Sequence, residues 1–167
     1  MADPGFLLSR VGAAVRAGFK EVLAERGIRP LQYVILLLLD TGGASQQELC
    51  AAAGIDSGNM VELLDSLESL GYARRDRDPR DRRRYLVSMT EGGQSALAEL
   101  RPAIEQYTTA FLSPLTGQER QRLASILGKL YLTTPEGQAR PPRWVPESAP
   151  KPASPGADRP RTPGNVD

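Results

Sequence analysis

The stretch Gly71-Tyr-Ala-Arg-Arg-Asp-Arg-Asp-Pro-Arg-Asp-Arg-Arg-Arg-Tyr-Leu-Val-Ser-Met-Thr90 decides the fold class of this chain. Seven arginines fall within residues 74–84, around the turn signal Asp78-Pro79-Arg80-Asp81. Strand-forming residues flank that turn on both sides, so the pattern predicts a β-hairpin. Guanidinium groups at a hairpin tip suit phosphates or a narrow nucleic-acid groove, although many charge runs are only solvated loops.

The residues before this hairpin have the pattern of a helix-turn-helix. Ser45 and Glu48 form a capping box for a short helix that reaches Ala53, and Gly54 supplies a tight turn. Asp56 or Ser57 can cap the next helix, predicted at about residues 57–70. Its apolar stripe consists of Met60, Leu63, Leu64, Leu67 and Leu70. A helix-turn-helix followed by a hairpin is a winged helix, in which the second helix enters the major groove.

Further helices are predicted on both sides of residues 30–90. Apolar residues recur at helical spacing over 6–26 and 90–113, and Pro102 predicts a kink or break near Leu100 in the second of these. Residues 30–40, at the start of the winged helix-turn-helix, are apolar nearly all round and predict a buried helix. Thr116 and Glu119 form a second capping box, which opens a final helix. The expected fold is therefore mainly α with a small β-hairpin wing at about 72–89. Residues 6–28 and 91–133 would form a helical dimerisation region beside the winged helix-turn-helix.

The C-terminal residues differ in composition from the rest of the chain. Nine of the fourteen prolines lie between Pro135 and Pro163, with few apolar residues among them. Such a segment cannot bury enough surface to offset its ordering entropy, so residues 134–167 are predicted to be a disordered tail. Trp144 is the residue of this tail that could dock on the folded part.

Composition excludes several classes of protein. The chain has 167 residues, a net charge of +1 and its basic residues concentrated in the hairpin. It has no histidine and one cysteine, so it lacks the commonest general base and metal ligand and cannot form an intrachain disulfide. We expect no enzyme activity, no cofactor and no metal. No signal peptide or membrane-spanning run is apparent, which predicts a soluble, cytoplasmic protein without membrane contact.

Over roughly residues 8–132 the chain resembles the MarR family of winged-helix regulators. The residues that carry the resemblance are Leu49, Gly54, Asp65, Leu67, Glu68, Gly71, Arg75, Asp78, Asp81, Arg82, Arg83 and Thr90. The resemblance implies a homodimer, built from the first, fifth and sixth helices, that binds double-stranded DNA at a palindromic operator, more as a repressor than an activator. It also implies that Arg83 enters the minor groove and that Asp81 braces the wing.

The remaining wing arginines have more than one possible role. Arg80, Arg82 and Arg84 are candidates for phosphate contact or for shaping the wing. Arg75 is a DNA-binding candidate too, but Arg74 and Arg75 could instead pair locally with Glu68 or Asp76.

The predicted recognition helix departs from the usual pattern of the family, with Gly58 where serine is frequent and Glu62 where arginine or threonine is common. No basic residue lies between Asp56 and Gly71. Affinity is therefore expected mainly from the wing and the helix amides. Gly58 belongs to the DNA-binding residues, and base contacts are left to Ser57, Asn59, Val61 and Glu62. Asn59 could pair with adenine, Val61 could touch a thymine methyl and Glu62 could accept from cytosine, or Glu62 could be an ordinary surface charge.

Many members of the family release DNA when a small, often aromatic, ligand binds. Arg10, Arg16, Tyr33 and Tyr107 could line such a pocket, although each could equally be a surface or core residue. Cys50 could suggest a redox sensor, but its position in the short third helix favours an inert filler. The alternative function is a winged-helix protein-interaction or RNA-binding module without operator specificity.

Overall fold

The computed structural model describes residues 3–77 and 85–139, which form seven helices and three strands. In chain order these are α1 (Pro4–Ala24), α2 (Pro30–Leu39), β1 (Ala44–Ser45), α3 (Gln46–Ala53), α4 (Ser57–Ser69), β2 (Ala73–Arg77), β3 (Tyr85–Met89), α5 (Glu91–Phe111), α6 (Gly117–Tyr131) and α7 (Pro135–Ala139). The mainly helical fold with a small antiparallel sheet agrees with the class predicted from the sequence.

Local capping chemistry sets the start of several helices as predicted. Ser45 and Glu48 form the reciprocal capping box at α3, and Thr116 and Glu119 form the one at α6. Of the two candidates for capping α4, Asp56 is the one that does so, through its carboxylate and the backbone N–H of Asn59. Gly54 ends α3 with a φ of +65°, the left-handed conformation that glycine adopts without strain.

The sheet contains one strand that the sequence pattern did not reveal. Its order is β1-β3-β2, all antiparallel, with Ala44 opposite Val87 and Arg75 also opposite Val87 on the other side. β1 has only two residues, too few for any alternation to be recognised. It joins the segment before α3 to the hairpin, so the helix-turn-helix and the wing share a sheet.

The core lies among α2, α4, the sheet and the facing parts of α1 and α5. Its fully buried members include Leu23, Ile35, Leu36, Leu49, Met60, Leu64, Leu67, Val87 and Leu100. Leu97, Leu100 and Ile104 were expected to be available for dimerisation, but they are buried within their own chain. The N-terminal half of α5 therefore packs against its own winged helix.

Three other expectations require correction. α5 runs through Pro102 without the predicted break, since Leu100 and Ile104 pack into the core on either side of the exposed proline, while the alternative of a kink stays a prediction. Leu70 is exposed rather than part of the buried stripe, because α4 ends at Ser69 and the chain turns away at Gly71. Residues 135–139 form the short helix α7, which packs against α3 and buries Gly137, whereas the whole segment 134–167 was expected to be disordered. Residues 140–167, including Trp144, lie outside the described residues.

Candidate nucleic-acid interface

One face of α4 anchors the helix and the other faces solvent. Met60, Leu63, Leu64 and Leu67 are buried against the core. On the opposite side lie the exposed residues Ser57, Gly58, Asn59, Val61, Glu62 and Asp65. The five residues of this helix that were predicted to bind DNA therefore all lie on the exposed side of its first two turns. A helix held in this way can enter a major groove without losing its packing.

The first turn of α4 is organised by a single carboxylate. Asp56 Oδ1 accepts the backbone N–H of Asn59 at 3.0 Å, and Asp56 Oδ2 accepts from Asn59 Nδ2 at 2.5 Å. These hydrogen bonds, first the backbone one, lower the pKa of the Asp56 carboxyl below its ordinary value. The group is therefore ionised at neutral pH, and both of its oxygens act only as acceptors.

The wing begins as a regular two-stranded ladder. Residues 73–77 of β2 pair with residues 85–89 of β3 in antiparallel register, from Ala73 opposite Met89 to Arg77 opposite Tyr85. The Arg77 guanidinium lies over the Tyr85 ring, 5.9 Å from its centroid. The proposed DNA contacts at the tip, Arg80, Asp81, Arg82, Arg83 and Arg84, lie outside the described residues.

Arg75 is directed towards α4 rather than towards solvent. Its guanidinium binds Asp65 Oδ1 at 2.6 Å, also binds Glu68 Oε2, and donates to the carbonyl of Val61 at 3.3 Å. The backbone N–H of Arg75 donates to Glu68 Oε1 at 2.8 Å. These contacts match the local-pairing alternative raised for Arg75 and leave its side chain only 22% exposed. In this structure Arg75 therefore fastens the wing to α4, and a direct DNA contact by this side chain is not favoured.

The neighbouring arginine behaves differently. Arg74 pairs with Asp76 on the same strand at 2.9 Å, and both side chains are more than half exposed. Successive strand residues point to opposite faces, so Arg74 faces solvent while Arg75 faces the helix.

A second junction joins the wing to α5. Thr90 Oγ1 donates to the carbonyl of Gly71 at 2.5 Å and accepts from the N–H of Gly93 at 3.0 Å, which caps α5. Gly71 itself has a φ of +73°. A Cβ on Gly93 would lie 2.1 Å from the Tyr72 carbonyl oxygen, so the first turn of α5 can approach this turn only with glycine there. The base of the wing is thus held by α4 through Arg75 and by the first turn of α5 through Thr90.

Gln32 was not identified from the sequence as part of this region. It is buried in α2, where its Oε1 accepts the backbone N–H of Arg29 at 2.8 Å and its Nε2 donates to Ser66 Oγ at 2.9 Å. One amide thereby fixes the start of α2 and ties it to α4. Its signal in the sequence was a lone polar residue in an otherwise apolar helix.

The four candidate ligand residues lie in different surroundings. Arg10 and Arg16 are exposed on α1, whereas Tyr33 is buried in the core, where burial raises the pKa of its hydroxyl. Tyr107 packs edge-on against Phe19 and stacked against Phe111, and its hydroxyl donates to the carbonyl of Ala14 at 3.4 Å. The two described grooves, one between α5 and the start of α6 and one between α3 and α7, are lined by none of these four residues.

The thiol of Cys50 is half-buried beside the core. Burial, and secondarily the Asp56 carboxylate, raise the pKa of this thiol. At neutral pH it is therefore protonated, a state that reacts slowly with oxidants and agrees with the filler interpretation.

Within residues 3–77 and 85–139 no group of three or more potential ligands is arranged to hold a metal ion. In the same part of the chain, no helix is long and apolar enough to cross a membrane.

Comparison with known proteins gives consistent matches. A family model described as MarR family matches residues 26–84. A protein from Thauera aromatica, described as a putative transcriptional regulatory protein for the hcr operon, is 33% identical over 120 residues, which cover 71% of this chain and 72% of the relative.

Solved structures of similar chains include two of CouR. The transcriptional repressor CouR bound to a 23-mer DNA duplex is 31% identical and superposes with a TM-score of 0.70 over 77% of this chain and 92% of that one. CouR from Rhodococcus jostii RHA1 bound to p-coumaroyl-CoA is 29% identical, with a TM-score of 0.69 over 79% and 94% of the two chains.

Proposed function

The chain belongs to the MarR family of DNA-binding transcriptional regulators, and from that premise we propose that it is a homodimeric repressor that binds a palindromic operator. The observation that carries the proposal is the exposed side of α4, where Ser57, Asn59, Val61 and Glu62 lie opposite the buried anchoring stripe. The relative CouR, a repressor with the same fold, has been solved on duplex DNA, which supports this mode of binding.

The helix α4 and the wing differ in charge, so we expect them to make different contacts with DNA. Asp56 and Glu62 are acidic and no basic residue lies on α4, so its side chains offer phosphates no opposite charge and only the backbone amides of its first turn can bind them. The affinity for the DNA backbone must then come largely from the wing arginines, with Arg83 in the minor groove, Asp81 bracing it and Arg80, Arg82 and Arg84 at phosphates. Base selection would come from α4, through Asn59 with adenine, Val61 with a thymine methyl and Glu62 with cytosine.

Exposed apolar side chains support the dimer. Phe6, Leu7, Leu8 and Val11 on α1, and Ile126, Leu127 and Leu130 on α6, are each at least 41% exposed. α6 has no buried residue of its own. Two apolar stripes of this size are more than a soluble monomer usually exposes, and pairing of two copies would cover them. The dimer would place its two α4 helices at half-sites about 34–36 Å apart.

Release by a small ligand is the remaining part of the proposal. The relative CouR has been solved bound to p-coumaroyl-CoA. A structure of the relative BpsR from Bordetella bronchiseptica concerns the regulation of its DNA binding by 6-hydroxynicotinic acid. Arg10, Arg16, Tyr33 and Tyr107 stay the candidate pocket residues of this chain, in a pocket that the dimer or the ligand would assemble. Such a ligand acts only if it binds the two conformations unequally.

The test measures how much the wing contributes to DNA affinity. Binding is followed by fluorescence anisotropy on an operator selected from random duplexes. Arg83→Ala should weaken binding at least about tenfold, equivalent to about 1.4 kcal/mol, and reduce the dependence on salt. Lys20→Ala removes one exposed charge from α1, outside the winged helix, and should leave affinity nearly unchanged. Equal affinity of wild type and Arg83→Ala would remove the wing from the mechanism. Equal binding of a duplex RNA of the same sequence would favour the RNA-binding alternative.

A further inference from the structure

Asp56 makes one more hydrogen bond to Asn59 than a helix cap requires. Capping needs only the bond from a side-chain oxygen to a backbone N–H of the first turn, here that of Asn59. The second carboxylate oxygen binds the side-chain amide nitrogen of the same residue. Both oxygens of Asp56 thus hold Asn59, one through its backbone and one through its side chain.

This second bond fixes which way round the Asn59 amide faces. The amide has one acceptor oxygen and two N–H donors, and one of those donors is used on Asp56. Oδ1 and the other N–H remain available for hydrogen bonds, and within residues 3–77 and 85–139 Oδ1 accepts none. An acceptor beside a donor matches the major-groove edge of adenine, which offers the N6 amino group and N7. The amide turned by 180° would present its NH2 group instead, which suits the acceptor-only edge of guanine.

We propose that Asp56 is a positioning residue for base readout, which holds the Asn59 amide in the orientation that accepts adenine and rejects guanine. The inference rests on the proposed function, because α4 must lie in the major groove for Asn59 to meet a base. Asp56 itself touches no base in this account. Its carboxylate acts through Asn59, and as an acceptor-only group at neutral pH it cannot stabilise the reversed amide.

Two substitutions of Asp56 keep the cap but change the second contact. Serine and asparagine are both good N-cap residues, so α4 should still begin at Ser57 in either variant. In Asp56→Ser no second oxygen remains, and the Asn59 amide can adopt both orientations. In Asp56→Asn the new NH2 group can only donate to Asn59, so Asn59 Oδ1 should turn inward and its own NH2 outward.

The experiment uses the full-length protein and the operator selected from random duplexes. The Asn59→Ala variant first identifies the operator position at which base preference is lost. Four duplexes, each with a different base at that position, are then titrated with every variant, and the dissociation constants are compared by anisotropy. Wild type should prefer adenine over guanine by about 5- to 150-fold, the range of one bidentate contact of about 1–3 kcal/mol. Asp56→Ser should reduce this ratio to within about threefold of unity, and Asp56→Asn should reverse it in favour of guanine. The ratio between bases is the readout because removing a carboxylate near phosphates raises affinity for every duplex.

A matched control removes a carboxylate cap elsewhere. Asp3 caps α1 through a single bond of 2.8 Å to the N–H of Phe6, so Asp3→Ser makes the same chemical change outside the winged helix and should leave the ratio unchanged. In NMR spectra of the free protein, the chemical shifts of the Asn59 side-chain NH2 group should change in Asp56→Ser and remain unchanged in Asp3→Ser.

The outcomes separate the two proposals. An adenine preference that persists in Asp56→Ser and Asp56→Asn, but disappears in Asn59→Ala, would overturn the positioning role and leave the proposed function intact. Wild-type protein that selects no sequence would overturn the proposed function and this inference with it. If sequences are selected but Asn59→Ala changes no base preference, the inference alone is wrong.

Discussion

Arg74 and Arg75 are identical residues next to each other in the sequence, yet they occupy opposite environments. Arg75 contacts Asp65, Glu68 and the carbonyl of Val61 on α4, whereas Arg74 has one exposed partner on its own strand. Their difference follows from the alternation of strand residues between two faces, one of which is covered by α4. A run of arginines that looks uniform therefore contains at least one residue that holds the protein together.

The pair gives a matched test of this structural role. Arg75→Ala should lower the free energy of unfolding by about 1–2 kcal/mol, because it removes charged hydrogen bonds whose value is partly screened at the exposed Asp65. Arg74→Ala should change it by less than about 0.5 kcal/mol, as most exposed substitutions do. Urea unfolding of both variants measures the difference. Equal losses would mean that the Arg75 contacts do not stabilise the fold.

At the scale of the elements, the turn at Gly71 and Tyr72 is where α4, the wing and α5 meet. Thr90 contributes both a backbone and a side-chain bond to this turn, and Gly93 allows α5 to approach it. The wing is also supported by the contacts of Arg75 with α4 and by the pairing of β3 with β1. Its direction relative to α4 is thus set by contacts with elements before and after it in the chain.

Gly93→Ala should disturb this junction. The added methyl would meet the backbone carbonyl of Tyr72 and the side chain of Met89, and since backbone cannot move aside cheaply the loss should be about 2–3 kcal/mol. Gly117→Ala, in the first turn of α6 with open space around it, should be neutral or slightly stabilising. Thermal and urea unfolding measure both effects. A Gly93→Ala protein as stable as the Gly117→Ala protein would contradict the close approach.

At the scale of the whole molecule, α7 connects parts that would otherwise be separate. It follows α6, the helix proposed to pair with a second copy, and it packs against α3 of the helix-turn-helix. Gly137 fits against the backbone of Tyr131, and Glu136 lies over Gly54. Residues 135–139 therefore contact the helix-turn-helix, beside Asp56 and Ser57.

Two truncations locate the end of the folded part. A chain stopped after Ala139 should melt within about 1 °C of the full chain, because residues 140–167 retain the composition that predicts disorder. A chain stopped after Thr134 loses α7 and should be destabilised by about 1–2 kcal/mol, which lowers the melting temperature by about 3–6 °C. Calorimetry of the three proteins compares them directly. A large loss on removing residues 140–167 alone would show that Trp144 or its neighbours dock.

Much of the helix pattern was predictable because its causes are local. Ser45 with Glu48, Thr116 with Glu119, and Asp56 with Asn59 are each three residues apart, so the groups that satisfy a helix end lie within the same short segment. The hairpin was recognisable for the same reason, since its turn signal and strands are contiguous. The family resemblance added expectations about the wing tip and the dimer that residue patterns alone do not supply.

Contacts between distant segments were not predictable in this way. The pairing of β1 with β3, the bridge from Gln32 to Ser66 and the packing of α7 on α3 all join residues that are far apart in the chain or too few to form a pattern. Each depends on which face of one element is covered by another, a property that arises only when the core assembles. Local hydrogen bonds thus fix where most elements begin and end, while packing between elements settles whether an arginine of β2 binds α4, as Arg75 does, or faces solvent, as Arg74 does.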